Sequence, residues 1–460
     1  MSARHLDSHP VSEQADLERR TAEVEQAILA RTPEHKIDPT LTRVGELLDV
    51  LGSPHKTVPM VQIAGTNGKT STTRMIDSLL REFGLRTGRF TSPHLHSMRE
   101  RISFDGQPIE PQRFLDTYDD IAPYLELIDS RHEVPLSFFE VLTAMAFAAF
   151  ADAPVDVAVV EVGLGGTWDS TNVADAQVAV VTPIAVDHER YLGSTIEAIA
   201  GEKAGILKAG SYGVLAQQPV EAAEVLLRRS VEVDAIVARE GLEFGVMSRS
   251  IAVGGQLLTL RGLAGEYDEI FLPLHGVHQA HNAAVALSAV EAFLGGSHSE
   301  RGRLDVDLVR AGFAGVTSPG RLEVVRRSPT VLLDAAHNPA GAAAAALAID
   351  QDFDFTRLIG VFAAMADKDV RGILGHFEPL LAEIVVTEIA SPRAMPVDDL
   401  AAVAVELFGA DRVEVIPRLD DALDTAIGLA EEEGQMAGAG VLVTGSVFTV
   451  AEARTLLGGS

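Results

Sequence analysis

Residues 58–71 read VPMVQIAGTNGKTS, an apolar run that breaks into a glycine-rich loop and then meets Lys69 and two hydroxyls. An apolar run of that length, stopped by a glycine turn, reads as a strand, and the segment beginning near Thr72 has helical length and spacing. In such a strand–loop–helix unit, backbone N–H groups converge on phosphate oxygens and the helix N-terminus adds positive dipole. The lysine reaches the terminal phosphates, and a hydroxyl meets magnesium. The loop departs from the usual pattern once: Ile63 stands where the first glycine is expected, so Gly65 supplies the turn. A plain turn with a capped helix shares the GxxGKTS spacing. The strand before it and the helix after it favour the phosphate loop.

Outward from this loop, apolar runs at 58–64, 87–91, 155–162 and 178–184 alternate with segments of helical length, the pattern of parallel βαβ units. Residues 244–271 alternate and are punctuated by glycine, which predicts an antiparallel hairpin or small sheet. A helix over 279–293 follows, then a polar loop, GGSHSERGRLD. After Ser318, Pro319 and Gly320 a second series begins, with strands expected at 331–334, 358–362, 384–388, 413–417 and 441–444. The fold class is α/β: a P-loop-containing parallel-sheet ATPase domain with a small antiparallel sheet, followed by a smaller Rossmann-like C-terminal domain. The expected divisions are an extension over 1–36, a central domain over 37–317, a hinge at 318–323 and a C-terminal domain over 324–460. Within the extension, the first fifteen or so residues read as disordered and 15–30 as a surface helix.

At 460 residues the chain is long enough for two or three domains, and 47% hydrophobic with 5% aromatic residues fits a Val-, Ala- and Leu-rich α/β protein. A formal charge of −29 argues against nonspecific nucleic-acid binding, so an acidic substrate must meet locally concentrated positive charge. With no cysteine, disulfides, thiol nucleophiles and Cys-ligated metals drop out. The opening residues lack the apolar core of a signal peptide, and no apolar run has the length of a membrane span. A cytoplasmic protein without a membrane anchor is expected.

Ligands of open α/β sheets collect at the carboxyl ends of the strands. Those ends carry Ser92 in TSPHL, Glu161 in EVGLGG and the pair Asp187-His188. Serine, carboxylate and imidazole together make a hard-metal site, although each alone is as readily a hydrogen-bonding loop residue. Ser137 and Glu140, three apart at the start of an apolar helix, match a capping box, which does not exclude a ligand contact. By spacing alone Lys203 is an ordinary helix-surface lysine. His278 and His281 lack a zinc-binding HExxH pattern and read as capping or hydrogen-bonding residues. Asp334 and His337 end a strand of the second domain, so two facing rims suggest a nucleotide held between domains, with Arg321 reaching a phosphate from the hinge.

Together AGTNGKTS, TSPHL with Arg99-Glu100-Arg101-Ile102, FFE, EVGLGG, DH, EKAGI, HQAHN, PGRLE and DAAHNP run in one order from about residue 37 to 446. In that order they resemble the folylpolyglutamate synthase and dihydrofolate synthase family of the Mur ligase superfamily. The resemblance implies that Gly68, Lys69, Thr70 and Ser71 bind ATP phosphates and that Asn282, Arg321 and Asp334 complete the nucleotide contacts. It implies two magnesium ions near Ser92, Glu161 and His188, and a carbamylated, anionic Lys203 supporting them, with Lys69, Lys203 and His188 as the catalytic set. Ser137, Phe138, Phe139 and Glu140 with Trp168, Asp169 and Ser170 fall where the family holds its pterin substrate.

The activity implied is ATP-dependent addition of L-glutamate to dihydropteroate, to reduced folates, or to both, through an acyl phosphate; two domains that already complete one site make a monomer the default expectation. His337 and Asp367-Lys368-Asp369 recur in the family without an assigned role. The chain departs from the family pattern at Thr70, usually glycine, and at Thr167, usually arginine. The alternative enzyme is a Mur-type ligase acting on a UDP-linked muramyl precursor; from another class, a catalytically silent P-loop module.

Overall fold

Five residues buried without interruption, Met60–Ala64, form β1 at the heart of an eight-stranded sheet. The computed structural model describes residues 10–33, 38–295, 303–431 and 438–458. The other strands of this sheet are β2 (Thr87–Phe90), β3 (Ile102–Phe104), β4 (Gln107–Pro108), β5 (Val157–Glu161), β6 (Val178–Val181), β7 (Tyr212–Leu215) and β8 (Ile236–Arg239). Their order is β4-β3-β2-β5-β1-β6-β7-β8, parallel except for the β3–β4 edge. Strands covered on both faces need no alternation, which is why their sequence reads as continuous apolar runs. The helix after β1 packs Met75, Ile76, Leu79 and Leu80 onto this sheet.

That helix spans Lys69–Glu82, three residues earlier than its apolar spacing suggests, because Gly68 at φ 88° is its N-cap. Lys69, Thr70 and Ser71 therefore sit in the first helical turn. The N-terminal helix also starts early, at Pro10, and runs to Leu29; residues 1–9 lie outside the described residues. It is held to the central domain by Ile28 in the core, by Arg20–Asp119 and Arg31–Asp129 ion pairs, and by the Phe138 amide on the Thr32 carbonyl.

Strands β9 (Gly245–Ala252), β10 (Gly255–Arg261) and β11 (Glu266–Leu272) form the expected antiparallel sheet, and the helix Val277–Leu294 follows. Of the polar loop after it, residues 296–302 lie outside the described residues. The second series holds β12 (Glu323–Arg327), β13 (Thr330–Leu333), β14 (Arg357–Phe362), β15 (Glu383–Val386), β16 (Val413–Val415) and β17 (Ala439–Thr444), ordered β12-β13-β17-β14-β15-β16. Only β12 is antiparallel to its neighbour, and it was not among the expected strands. Its EVVRR sequence carries the charges that an edge strand tolerates and a central strand does not.

A buried ion pair joins the antiparallel sheet to the second α/β unit. Arg249 on β9 donates to both carboxylate oxygens of Asp352, each at 2.5 Å, and the Gly276 amide donates to Asp352 Oδ2 at 2.7 Å. The Asp352 side chain is fully buried. Removing one member of such a pair strands the other's charge, so Asp352→Ala is expected to cost about 3 kcal/mol of unfolding free energy. Urea unfolding followed by circular dichroism measures this, and an unmoved midpoint would remove the pair as a structural tie.

Candidate active site between the two sheets

The phosphate loop is shaped by two glycines. Gly65 has φ 144°, and an added Cβ would lie 1.8 Å from Thr182 Oγ1; Gly68 has φ 88°, and its Cβ would lie 2.6 Å from Asn282 Oδ1. Both positions combine a left-handed backbone with no room for a side chain. Lys69 Nζ donates to the carbonyls of Gly65 and Thr66, both at 3.1 Å, so the lysine folds back over its own loop. Ser71 meets Ser318 of the hinge at 3.0 Å and accepts from Gln279 at 3.2 Å. Asn282, whose amide donates to Gln279 at 3.1 Å, is thereby fixed beside the loop.

Because β1 lies beside β5 in register, with Ile63 opposite Glu161, the Glu161 carboxylate stands at the loop's flank. It accepts from Thr70 Oγ1 at 2.9 Å and from the Ser92 amide at 3.3 Å. Burial pushes the Glu161 carboxyl up, against the pull of Lys69 and these donors. A buried carboxylate short of positive charge, next to two hydroxyl residues, fits a hard divalent cation. Lys203 corrects the expectation from spacing: it is buried, and its Nζ donates to Gly65 O at 2.8 Å. Burial, aided by Lys69, lowers its pKa to about 7.

On the other flank Asp187 collects contacts from the second unit. Lys368 Nζ lies 2.6 Å from Oδ1, Asn338 Nδ2 donates to Oδ2 at 2.9 Å, and His337 Nε2 stands 3.6 Å away. Against the cost of burial, His337, His188 and Lys368 hold the Asp187 carboxyl well below the usual carboxylate range. His188 has its Nε2 3.8 Å from Asp187 and keeps its ring exposed at the rim; partial desolvation, with Lys368, His337 and Lys69 nearby, lowers its pKa. Among the described residues no three His, Asp or Glu side chains approach closely enough to enclose a metal ion by themselves. Glu161 thus gathers Thr70 and Ser92, whereas the contact of His188 is with Asp187.

Asn67 of the phosphate loop and Asn338 exchange amide hydrogen bonds at 3.3 and 3.1 Å. Asp334 is buried and accepts the Leu322 and Ala336 amides, both at 2.9 Å, so it also fastens the hinge. Arg321 donates only to the Gly320 carbonyl, at 3.0 Å, and meets no carboxylate at bonding distance among the described residues. Sequence reasoning left Lys368, His337 and Asn338 without a role. Their partner Asp187 is far away in the chain, and only the fold brings them together.

The two segments expected at the pterin converge on the EVGLGG loop. Ser137 and Glu140 form the capping box of the helix Phe138–Asp152, and buried Glu140 also pairs with Arg43 at 3.2 Å. Phe138 lies under Arg101, 4.9 Å from its ring centroid. Phe139 packs where Gly163 lacks a side chain, and Trp168 packs likewise against Gly165; both aromatics remain partly exposed. Ser170 meets Thr143 of the same helix at 3.1 Å, and buried Asp169 accepts the Leu164 and Thr171 amides. Glu140, Asp169 and Ser170 are thus buried around this loop, and Phe139 and Trp168 stay partly exposed against it.

Two successive regions of the chain match known families: residues 63–290 the Mur ligase middle domain and residues 320–447 the Mur ligase glutamate ligase domain. That pairing defines the class, a Mur-type ligase. Over 457 residues the chain is 53% identical to the dihydrofolate synthase/folylpolyglutamate synthase of Mycobacterium tuberculosis, covering 95% of this chain and 93% of that protein. A crystal structure of M. tuberculosis folylpolyglutamate synthase complexed with ADP and AMPPCP matches with a TM-score of 0.91 at 53% identity, covering 96% of this chain and 99% of that one. The Escherichia coli FolC structure with DHPP and ADP matches with a TM-score of 0.82 at 30% identity, covering 95% and 97%. The chain belongs to the dihydrofolate synthase/folylpolyglutamate synthase family of ATP-dependent ligases. Relatives on the folate side weaken the muramyl alternative.

The glycine geometry yields a direct test. Gly68→Ala must place a Cβ against Asn282 in a left-handed backbone, a strain of about 1–2 kcal/mol before any clash. ADP affinity measured by calorimetry is expected to fall about tenfold or more, and unchanged affinity would contradict the loop's assignment.

Proposed function

We propose that the protein joins L-glutamate to dihydropteroate and to reduced folates, cleaving ATP to ADP and phosphate. One observation carries the proposal: a single loop, residues 161–170, bears Glu161, which accepts from Thr70 of the phosphate loop, together with Gly163 against the Phe139 ring and Gly165 against the Trp168 ring. The phosphate end and two partly exposed aromatic rings are thus built on one piece of backbone.

A carboxylate is a poor electrophile, so its oxygen first attacks the γ-phosphorus of ATP; an O–P bond forms and ADP leaves. The amine of glutamate then attacks the acyl carbon, the C–N bond forms, and phosphate departs as the amine loses a proton. Lys69 neutralises charge on the transferring group, and Arg321 approaches it from the hinge. Gly68, Thr70, Ser71, Asn282 and Asp334 position the nucleotide. Thr70, Ser92, Glu161 and His188 would hold magnesium, two ions in all, which when bound supplies further neutralisation of phosphate charge. Closure of the two domains about residues 318–323 shields the acyl phosphate from water. The enzyme acts as a monomer, since one chain completes the site, and in the cytoplasm.

Release of ADP is expected to require both a pterin acid and glutamate; ATP hydrolysis indifferent to both would overturn the ligase proposal. In Lys69→Ala, kcat is expected to fall by a factor on the order of 10² or more.

Lys203 is proposed to act as its carbamate. Its neutral amine attacks carbon dioxide, an N–C bond forms and a proton is lost, leaving an anion beside the metal side of the site. With the pKa lowered to about 7, the neutral amine grows as pH rises through that value. Activity in carbonate-depleted buffer is therefore expected to drop, to recover with bicarbonate, and to recover more fully above pH 7 than below it. Carbon-13 NMR with labelled bicarbonate reads the carbamate signal directly, and its absence in an active enzyme would exclude the modification.

A further inference from the structure

The loop that follows β2, from Thr91 to Ser97, touches the site with its first half and the second α/β unit with its other half. At the site end, the Ser92 amide donates to Glu161 at 3.3 Å. At the other end, Leu95 packs against the apolar cluster that holds Val450 and Ala453 of the last helix, Val447–Leu456. Beside it, Arg454 Nη1 donates to His96 Nε2 at 2.9 Å, and His96 Nδ1 stands 3.2 Å from Thr455 Oγ1. The backbone of the loop is fixed independently, because the Glu100 carboxylate accepts the amides of Leu95, His96 and Ser97 at 3.0, 2.9 and 2.9 Å.

A guanidinium has no acceptor atom, so His96 must accept at Nε2. The Thr455 hydroxyl donates to the Ala451 carbonyl at 3.1 Å, so its lone pairs are left to accept the N–H of His96 Nδ1. The ring therefore uses both nitrogens on one helix of the second unit, accepting with one and donating with the other. Arg454 is itself tied to the hinge: its Nε donates to both oxygens of Glu323, at 3.1 and 3.3 Å, and Glu323 Oε2 accepts the Gly320 amide at 2.8 Å. Gly320 has φ 68°, and a Cβ there would lie 2.9 Å from Val450 and 3.9 Å from Leu95. Loop, hinge and last helix thus meet in one cluster.

We infer that His96 is a positioning residue, a latch by which the second unit, when closed, holds the loop that carries Ser92 against Glu161. This rests on the acyl-phosphate ligase activity proposed above. The sheet order explains why a second tie is needed. Asp187 follows β6 and takes Lys368 and Asn338, whereas His96 follows β2; in the order β2-β5-β1-β6 the two ties straddle the strand that feeds the phosphate loop. One tie alone leaves the second unit free to swing about it, and two on opposite sides do not. With the latch released, water reaches the acyl phosphate in place of the amine. Its oxygen attacks the acyl carbon, a C–O bond forms as the water loses a proton, phosphate departs, and the pterin acid returns with one ATP spent.

The test measures ADP released and glutamyl product formed in the same reaction, using the full chain with ATP, a pterin acid and glutamate. In His96→Ala, ADP released in excess of product is expected to rise about threefold, the scale of a solvent-exposed polar contact. The Kd for ADP is expected to stay within about twofold. His96→Gln offers an amide oxygen to Arg454 and an amide N–H to Thr455, and is expected to restore coupling. His96→Lys sets a second cation against Arg454 and is expected to uncouple at least as far as alanine. Coupling unchanged in both His96→Ala and His96→Lys would overturn the inference. So would a slower enzyme in which ADP and product still fall in step, since that marks a role in folding alone. Should His96→Ala fail to fold, Thr455→Val removes the other partner and reports the same ratio. Failure of the parent proposal shows separately, as absence of glutamyl product from the unmutated protein.

Discussion

Asp187 is the residue on which the site's assembly depends. Its carboxylate leaves the end of the first sheet and takes the Lys368 ammonium at 2.6 Å and the Asn338 amide at 2.9 Å from the second unit. A buried carboxylate is costly unless its lone pairs are satisfied, and here the satisfying groups come from across the domain boundary. The Lys368 and Asn338 contacts offset that desolvation cost only in the closed arrangement, so they form and break with closure. Asn338 then turns to Asn67, so the unit that recognises the second domain also steadies the phosphate loop. Closure and nucleotide recognition share one hydrogen-bond chain.

Around that knot the molecule inverts its own electrostatics. The chain is strongly acidic, yet its site concentrates Lys69, Lys203, Arg321 and Lys368, with Glu161, Asp334 and Asp187 among them. Burial works against charge on every one of these groups that it covers, and the result differs by neighbour. Lys203 lies beside another lysine and drifts toward neutrality; Asp187 lies beside donors and stays ionised. A site with groups poised on both sides of neutrality handles a polyanionic nucleotide, an acidic acceptor and an amine in one cavity.

Much of this architecture was legible in the sequence. The fully buried strands announced themselves as apolar runs, the phosphate loop by its glycines and lysine, and the helix at 138 by its capping box. What stayed hidden was whatever depends on distant partners. IEAIAGEK has too weak an apolar periodicity to mark a buried face, so Lys203 looked exposed. It is buried because Gly166 lets the EVGLGG loop come within Cβ-contact distance of the Glu202 carbonyl. Lys368 and Asp187 are separated by 181 residues, and no local pattern links them. The edge strand β12 escaped because its charges resemble a loop, β8 because at the sheet edge only its Ala238 is buried, and β7 because Gly213 interrupts its short apolar run.

Thr167, a departure from the family pattern next to Trp168, acquires a physical meaning from the same packing. Its amide and its hydroxyl both donate to the Glu202 carbonyl, at 2.9 and 3.1 Å, one residue before Lys203. Threonine there ties the substrate loop to the helix that carries the lysine, and Gly205 is bare because a Cβ would lie 2.3 Å from the Thr167 hydroxyl. The side chain is exposed, so a longer cationic residue would extend into solvent on the acceptor side without displacing Lys203. The backbone tie uses the amide, which any residue supplies; only the hydroxyl bond is particular to threonine. The departure from the family pattern therefore falls on an exposed position and leaves the contacts of the phosphate loop and of Lys203 intact.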